Sequence, residues 1–257
     1  MINLELHPAL VREELRSPVM GNIFFLFDTV GSTNDICSRL GGSGFSEGTV
    51  VAALNQSKGR GRKGRAWFSA SGKGLVFSIL LRPGRETEGL MTLFSYSVIE
   101  ALERIGIVGM MKWPNDIYIG ERKAGGILAE GIGGAVTLGA GLNINETRED
   151  FPPEISPIAT SLRMESGRSL CRRTVLCGVL DCFGENYQQW KSRGLNPFLS
   201  AIRSRLLYLG DMVTVTDGRG LRRGRMAGIS DQGYLHLETG SGVETFHSGE
   251  LSLERGE

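Results

Sequence analysis

Cysteine and histidine are scarce in this chain, four and three in 257 residues. Cys37, Cys171, Cys177 and Cys182 are too few and too unevenly placed for a disulfide framework, and no pair has the C-x-x-C spacing of a metal knuckle. With so few histidines beside them a zinc site is not expected, and all four are expected as buried free thiols. Proline is also sparse at eight residues, which excludes a collagen-like or low-complexity chain. No stretch reaches the roughly 18 apolar residues of a membrane span; the nearest, residues 131–145, is short and polar. The opening MINLELHPALVREELRS carries acids and lacks a continuous apolar run, so it does not read as a signal peptide. These absences point to a cytoplasmic protein. An excess of one charge is missing as well: 29 basic residues meet 28 acidic ones for a net +1. That excludes a global basic coat for nucleic acid and leaves room for a local patch.

Glycine is abundant, at 37 residues twice the usual share of about 7%. Hydrophobic residues make up 40%, enough for a substantial core. The length suits one large domain, or about 200 residues plus a small module. Residues 23–27 (IFFLF), 50–54 and 75–81 (LVFSILL) read as buried strands bounded by turn residues. Apolar residues at helical spacing predict a helix over 88–104, and those from Leu176 to Trp190 predict a second. Between them, 117–119 and 123–130 flank a Gly-Glu-Arg turn and predict a hairpin, with 136–145 as a further strand. Hairpins with helices at intervals predict an α+β fold, a mixed sheet with packed helices rather than a strict βαβ series. After residue 208 the pattern changes to five closely spaced strands, 212–216, 221–229, 234–238, 243–247 and 251–254. That predicts a small β-barrel over 209–257, separate from a larger unit over 1–208.

Three segments carry chemistry. Lys58-Gly-Arg-Gly-Arg-Lys-Gly-Arg65 interleaves five cations with three glycines, and from Gly48 to Arg85 eight Lys or Arg occur without one acid. Glycines let backbone N–H groups close on an anion, and the cations add charge-assisted bonds to phosphate or carboxylate. Gly59, Gly61 and Gly64 also fit G-x-G-x-x-G, but residues 66–72 make a poor helix start, against a dinucleotide fold. A nucleic-acid arm is the other reading of Arg-Gly repetition. The second segment is Lys112-Trp-Pro-Asn-Asp116, with Lys123 returning beside it if the hairpin forms. Its Asn-Asp pair suits either a satisfied turn or contacts to phosphate, ribose or Mg²⁺-bound water; Trp113 reads as core. The third, residues 28–35, follows a buried strand. Ser32 with Asp35 resembles a capping box on a helix that ends at Gly41-Gly42. A helix N-terminus at a sheet end is also a site for anions and polar ligands.

In this order and spacing the segments resemble the biotin protein ligases. That family's pattern is S-T-N after the first strand, Q-x-x-G-R-G-R-x-G-R-x-W, K-W-P-N-D, a lysine eleven residues past the first lysine of that motif, then G-x-G-x-N. Here these are Ser32-Thr33-Asn34, Gln56 through Trp67, Lys112 to Asp116, Lys123, and Gly139-Ala-Gly-Leu-Asn143. The resemblance implies a class II synthetase-like catalytic domain, followed by a C-terminal SH3-like barrel. It also implies a two-step reaction in which biotin and MgATP give biotinyl-5′-AMP and pyrophosphate, and a carrier-domain lysine then takes the biotinyl group.

By the same resemblance Ser32, Thr33, Asn34, Gln56, Arg60, Gly61, Arg62 and Lys123 bind biotin. Arg65, Trp67, Lys112, Asn115, Asp116 and Asn143 surround the nucleotide, and Lys123, Arg62 and Asp116 are the catalytic candidates. No protein-held metal is expected, Mg²⁺ arriving with ATP. The implied partner is the carrier domain of a biotin-dependent carboxylase, with the ligase a monomer or homodimer and no membrane. Only about thirty residues precede Ser32, too few for the winged helix-turn-helix of larger relatives, so no DNA partner is expected. Lipoate ligase or octanoyl transferase of the same fold is the alternative.

Overall fold

The computed structural model describes residues 5–84 and 87–254; Arg85, the last cation of the basic stretch, lies outside them. The larger unit runs α1 (Pro8–Glu14), β1 (Phe24–Val30), α2 (Thr33–Gly42), β2 (Val50–Gln56), β3 (Leu75–Leu81) and α3 (Leu90–Arg104). It continues with β4 (Met110–Lys112), β5 (Asp116–Ile119), β6 (Arg122–Ile132), β7 (Ala135–Leu142), α4 (Leu162–Ser166), α5 (Arg172–Arg193) and α6 (Leu199–Arg203). Its seven strands form one sheet in the order β1-β2-β3-β7-β6-β5-β4. β1 and β2 pair in parallel, and the other neighbours pair antiparallel, the mixed sheet that the hairpin pattern predicts.

Strand β3 shows why the sheet has two different faces. Its side chains alternate, so Phe77, Ile79 and Leu81 enter the main core with α3 and α5. Phe94 bridges that core, 6.2 Å from the Phe77 ring and 4.8 Å from that of Phe183. Burying each such ring stabilises by about 1.5–3 kcal/mol. Val76 and Leu80 point the other way, into smaller clusters with residues of β1, β2 and α2. Between them on that face sits a fully buried hydroxyl, Ser78. The large core thus lies on one side of the sheet. The opposite side, covered by α2 and by loops, is left to hold polar groups.

Helix α3 starts at Leu90, two residues later than its periodicity suggests, because Gly89 is left-handed at φ 77°. Helix α5 is longer at both ends than its apolar stripe, with Cys171 at its N-cap. That position exposes Cys171, contrary to the expectation of four buried thiols; Cys37, Cys177 and Cys182 are buried. Helices α1, α4 and α6 and the three-residue β4 are too short to leave a readable period.

The last strands, β8 (Met212–Asp217), β9 (Gly220–Ile229), β10 (Leu235–Thr239), β11 (Gly242–Phe246) and β12 (Glu250–Leu253), form an antiparallel sheet in the order β11-β10-β9-β8-β12. This suits an SH3-like module, but its hydrogen bonding is open, with β11 and β12 as edges among the described residues. Trp113 is buried, as expected of a core residue, and its Nε1 donates to Gly233 O at 3.1 Å, joining the module to the larger sheet. No helix among the described residues is long and apolar enough to cross a membrane.

Candidate active site

The start of α2 forms the polar end of the site. Ser32 is the N-cap in position, yet its side chain makes no cap bond. The expected capping box with Asp35 does not form, because Arg60 takes both Asp35 oxygens, at 2.9 and 2.7 Å. This fork holds the Asp35 carboxyl below its ordinary pKa. The first helical amide, Thr33 N, instead donates to Gln56 Oε1 at 2.7 Å. Ser78 Oγ sits 2.7 Å from Thr33 Oγ1 and 2.6 Å from Asn34 Oδ1, and Asn34 Nδ2 donates to Glu130 at 2.6 Å. A helix N-terminus, two hydroxyls and two amides are thus locked side by side at the end of β1.

The arginine-glycine loop folds over this end. Gly61 N–H donates to Arg65 O at 2.7 Å and Trp67 N–H to Gly59 O at 2.9 Å, which makes a tight turn. Lys63 and Gly64 at its tip are left-handed, at φ 55° and 73°. A 3-10 turn at Arg62–Gly64 is followed by extended chain rather than an α-helix, so the dinucleotide reading fails. Lys63 and Arg65 reach Glu250 at 3.3 and 3.0 Å, and Arg62 Nη1 donates to Gly249 O at 3.2 Å, all in the C-terminal module. Among the described residues no carboxylate lies within ion-pair distance of Arg62. Burial holds its pKa below the ordinary guanidinium value, so this cation is only partly compensated.

The β5–β6 hairpin supplies the third side. Lys123 Nζ lies 2.6 Å from Asp116 Oδ1 and 5.8 Å from the centre of the Trp67 ring. Asn115 Nδ2 donates to Ile127 O at 2.8 Å, and Asn143 Nδ2 to Thr160 O at 2.9 Å. Gly139 and Gly141 on β7 are required by close approach: a Cβ would strike Asn34 at the first and the Trp67 indole at the second. These elements enclose a cavity of about 480 Å³, within the usual range of about 300–1,000 Å³ for ligand sites.

Every predicted site residue but one lines that cavity: Ser32, Thr33, Asn34, Gln56, Arg60, Gly61, Arg62, Arg65, Trp67, Asn115, Asp116, Lys123 and Asn143. Lys112 does not. Its ammonium is half-buried behind the wall, 3.4 Å from Tyr118 Oη and 5.8 Å from the Tyr208 ring centre, and burial lowers its pKa. Sequence reasoning missed Ser78, Glu130 and Glu250 as partners of the site. Ser78 had a signal, as the one hydroxyl in an apolar strand; Glu250 had none, coming from the other module.

The chain matches the Biotin/lipoate A/B protein ligase family over residues 26–145 and the Biotin protein ligase C terminal domain over 208–253. It is 34% identical to the bifunctional ligase/repressor BirA of Bacillus spizizenii, over 95% of this chain and 78% of that one. It is 30% identical to the biotin–(acetyl-CoA-carboxylase) ligase of Mycobacterium tuberculosis, over 96% of each. The biotin protein ligase of Aquifex aeolicus, solved in complex with biotin and ATP, superposes with a TM-score of 0.82 at 36% identity, covering 91% of this chain and all of that one. Fold and site together define a carboxylate-activating ligase. The chain belongs to the biotin protein ligase family.

Proposed function

We propose that this protein activates biotin with ATP and transfers it to a lysine of a carboxylase carrier domain. The observation that carries the reading is one cavity with a neutral hydrogen-bonding end, Ser32 to Gln56, and a cationic end, Arg62 with Lys123. The ureido head of biotin offers one carbonyl and two N–H groups to the first, and its carboxylate faces the second. Arg65, Trp67, Asn115 and Asn143 hold the nucleotide, Lys112 acting from behind the wall. Mg²⁺ enters on the ATP phosphates, as part of that substrate.

In the first step a biotin carboxylate oxygen attacks the α-phosphorus, the Pα–O–Pβ bond breaks and pyrophosphate leaves. Two like charges about 4 Å apart repel by several kcal/mol at an effective dielectric near 20. Lys123, exchanging Asp116 for the carboxylate, and Arg62 offset this repulsion most as charge builds at phosphorus. The loop 59–66 covers the mixed anhydride and keeps water from it. In the second step the acceptor amine attacks the acyl carbon, the acyl C–O bond of the anhydride breaks, AMP leaves with the bridging oxygen, and the amine sheds a proton. Asp116, released from Lys123, is the group assigned to receive that proton.

Lipoate or octanoate is the second reading, since the matching family model spans biotin and lipoate enzymes. An alkyl or dithiolane tail would leave Thr33, Asn34 and Gln56 facing a ligand unable to answer their hydrogen bonds, which disfavours it strongly. ATP–pyrophosphate exchange with biotin, lipoate or octanoate tests both. Exchange with biotin alone is the expected outcome; exchange with lipoate and not biotin would overturn the assignment.

A further inference from the structure

Gly126, Leu128 and Glu130, alternate residues of β6, pair with Gly141, Gly139 and Thr137 of β7 on the face that α2 covers. Glu130 lies beyond the cavity lining, yet the polar end of the cavity hangs from it. A carboxylate only accepts hydrogen bonds. Asn34 must therefore turn its NH₂ to Glu130 Oε2, at 2.6 Å, which points its carbonyl oxygen at Ser78. The single Ser78 proton goes to Asn34 Oδ1, which leaves the Thr33 hydroxyl, 2.7 Å from Ser78 Oγ and 3.1 Å from Gln56 Oε1, as the donor toward those two acceptors. Gln56 Oε1 is held by the Thr33 amide, and its Nε2 turns toward the loop near Gly59. With either acceptor, Thr33 spends its one proton inside the protein. Thr33 Oγ1 keeps its lone pairs for an incoming N–H, and Gln56 keeps N–H donors for an incoming carbonyl. Glu130 also lies 3.3 Å from Arg60 Nη2, steadying the guanidinium that forks onto Asp35.

We propose that Glu130 is a positioning residue which fixes the donor–acceptor polarity of the cavity's ureido-binding end through the chain Asn34–Ser78–Thr33–Gln56. This rests on the biotin reading above. Glu130 need not touch the ligand; through Asn34 and the buried Ser78 it decides what the Thr33 hydroxyl has left to offer beside Gln56. The consequence is specificity for a planar cyclic urea, with N–H and C=O in fixed places, over tails without them.

The test exchanges the two ends of the first link. Asn34→Asp sets two carboxylates face to face, and Glu130→Gln removes the charge and presents an NH₂ to Arg60. When both substitutions are combined, the amide introduced at position 130 donates to the carboxylate introduced at position 34. The other oxygen of that carboxylate still accepts from Ser78, so the polarity returns. Biotin-dependent pyrophosphate exchange and melting temperature are measured for wild type, each single variant and the pair. The expected result is a biotin KM raised about tenfold in Asn34→Asp and several-fold in Glu130→Gln, the worth of a hydrogen bond or two. The pair should return to within about threefold of wild type, with kcat little changed throughout.

A pair no better than the worse single variant, while the wild type turns over biotin, overturns the proposal alone. A pair that regains melting temperature but not biotin KM overturns it too, by making Glu130 merely structural. A folded wild type with no biotin-dependent exchange overturns the ligase reading and this proposal with it.

Discussion

Lys123 Nζ and Asp116 Oδ1 stand 2.6 Å apart across the β5–β6 hairpin, each side chain less than one-third exposed. Lys123 follows the turn and Asp116 begins β5, so the hairpin itself brings the two together. The pair keeps the ammonium at the cavity wall and gives it a partner to leave. In the proposed mechanism an incoming carboxylate takes the place of Asp116 without moving Lys123 far, and the freed Asp116 is then the proposed proton acceptor.

Lys123→Ala is expected to lower biotin-dependent pyrophosphate exchange by at least about 10²–10³-fold, the usual cost of losing a preorganised charge aimed at a developing anion. The fold should lose about 1 kcal/mol or somewhat more, since the pair is mostly buried and Asp116 is left without its cation, so urea unfolding is run beside the exchange assay. Exchange at the wild-type rate in the purified variant would remove Lys123 from the mechanism.

Arg62 acts at a different point. Its guanidinium links Asn115 and Gly249 across the loop without a carboxylate partner among the described residues, which leaves its charge for the adenylate in the proposed mechanism. Arg62→Gly is expected to leave adenylation detectable and to speed loss of biotinyl-AMP by about 10–100-fold, equivalent to one or two charged hydrogen bonds. Dissociation unchanged in a pulse-chase from the preloaded variant would show that the loop is no clamp.

The parts of this site that sequence made legible are those whose residue types are fixed by chemistry and placed close together in the chain. Ser32 to Asp35, the arginine-glycine loop and the Lys112–Asp116 hairpin are of that kind. The mixed sheet followed from short apolar runs and one clear turn. What sequence concealed depended on distance. Asp35 looks like a cap because Ser32 is three residues away, yet Arg60, twenty-five residues on, offers a bidentate fork that a backbone amide cannot match. Lys112 shares a motif with Asn115 and Asp116 but lies on β4, where its ammonium settles between Tyr118 and Tyr208. The contact of Glu250 with Lys63 and Arg65 joins two modules nearly two hundred residues apart, and no local spacing announces it.

Gly141 lies under the Trp67 indole with no room for a methyl group. Gly141→Ala should therefore push Trp67 into the proposed nucleotide end of the cavity and strain β7. The expected loss is about 1–3 kcal/mol of stability in urea unfolding, the normal cost of overpacking. The KM for ATP should rise more than that for biotin, whose proposed head site lies farther along at Thr33 and Gln56. Equal changes in both would mean that Trp67 does not belong to the nucleotide side.

Glu146, three residues beyond Asn143, is fully buried and bonded by no side chain among the described residues. Burial pushes its carboxyl up from 4.5 to about 7, although nearby backbone amides, that of Ala70 among them, oppose the rise. The unfolded chain releases this proton near the ordinary value, whereas the folded protein holds it to near neutrality. Stability contributed by the neutral carboxyl is thus complete at acid pH, falls as pH rises from about 4.5 to about 7, and changes no further above that. Glu146→Gln keeps the shape and cannot ionise. Relative to wild type it should gain stability between pH 5 and pH 8, by an amount on the order of 3 kcal/mol for the full shift. Urea unfolding of both proteins across that range measures the difference directly. Parallel stability curves would mean that Glu146 is solvated and titrates as an ordinary carboxylate.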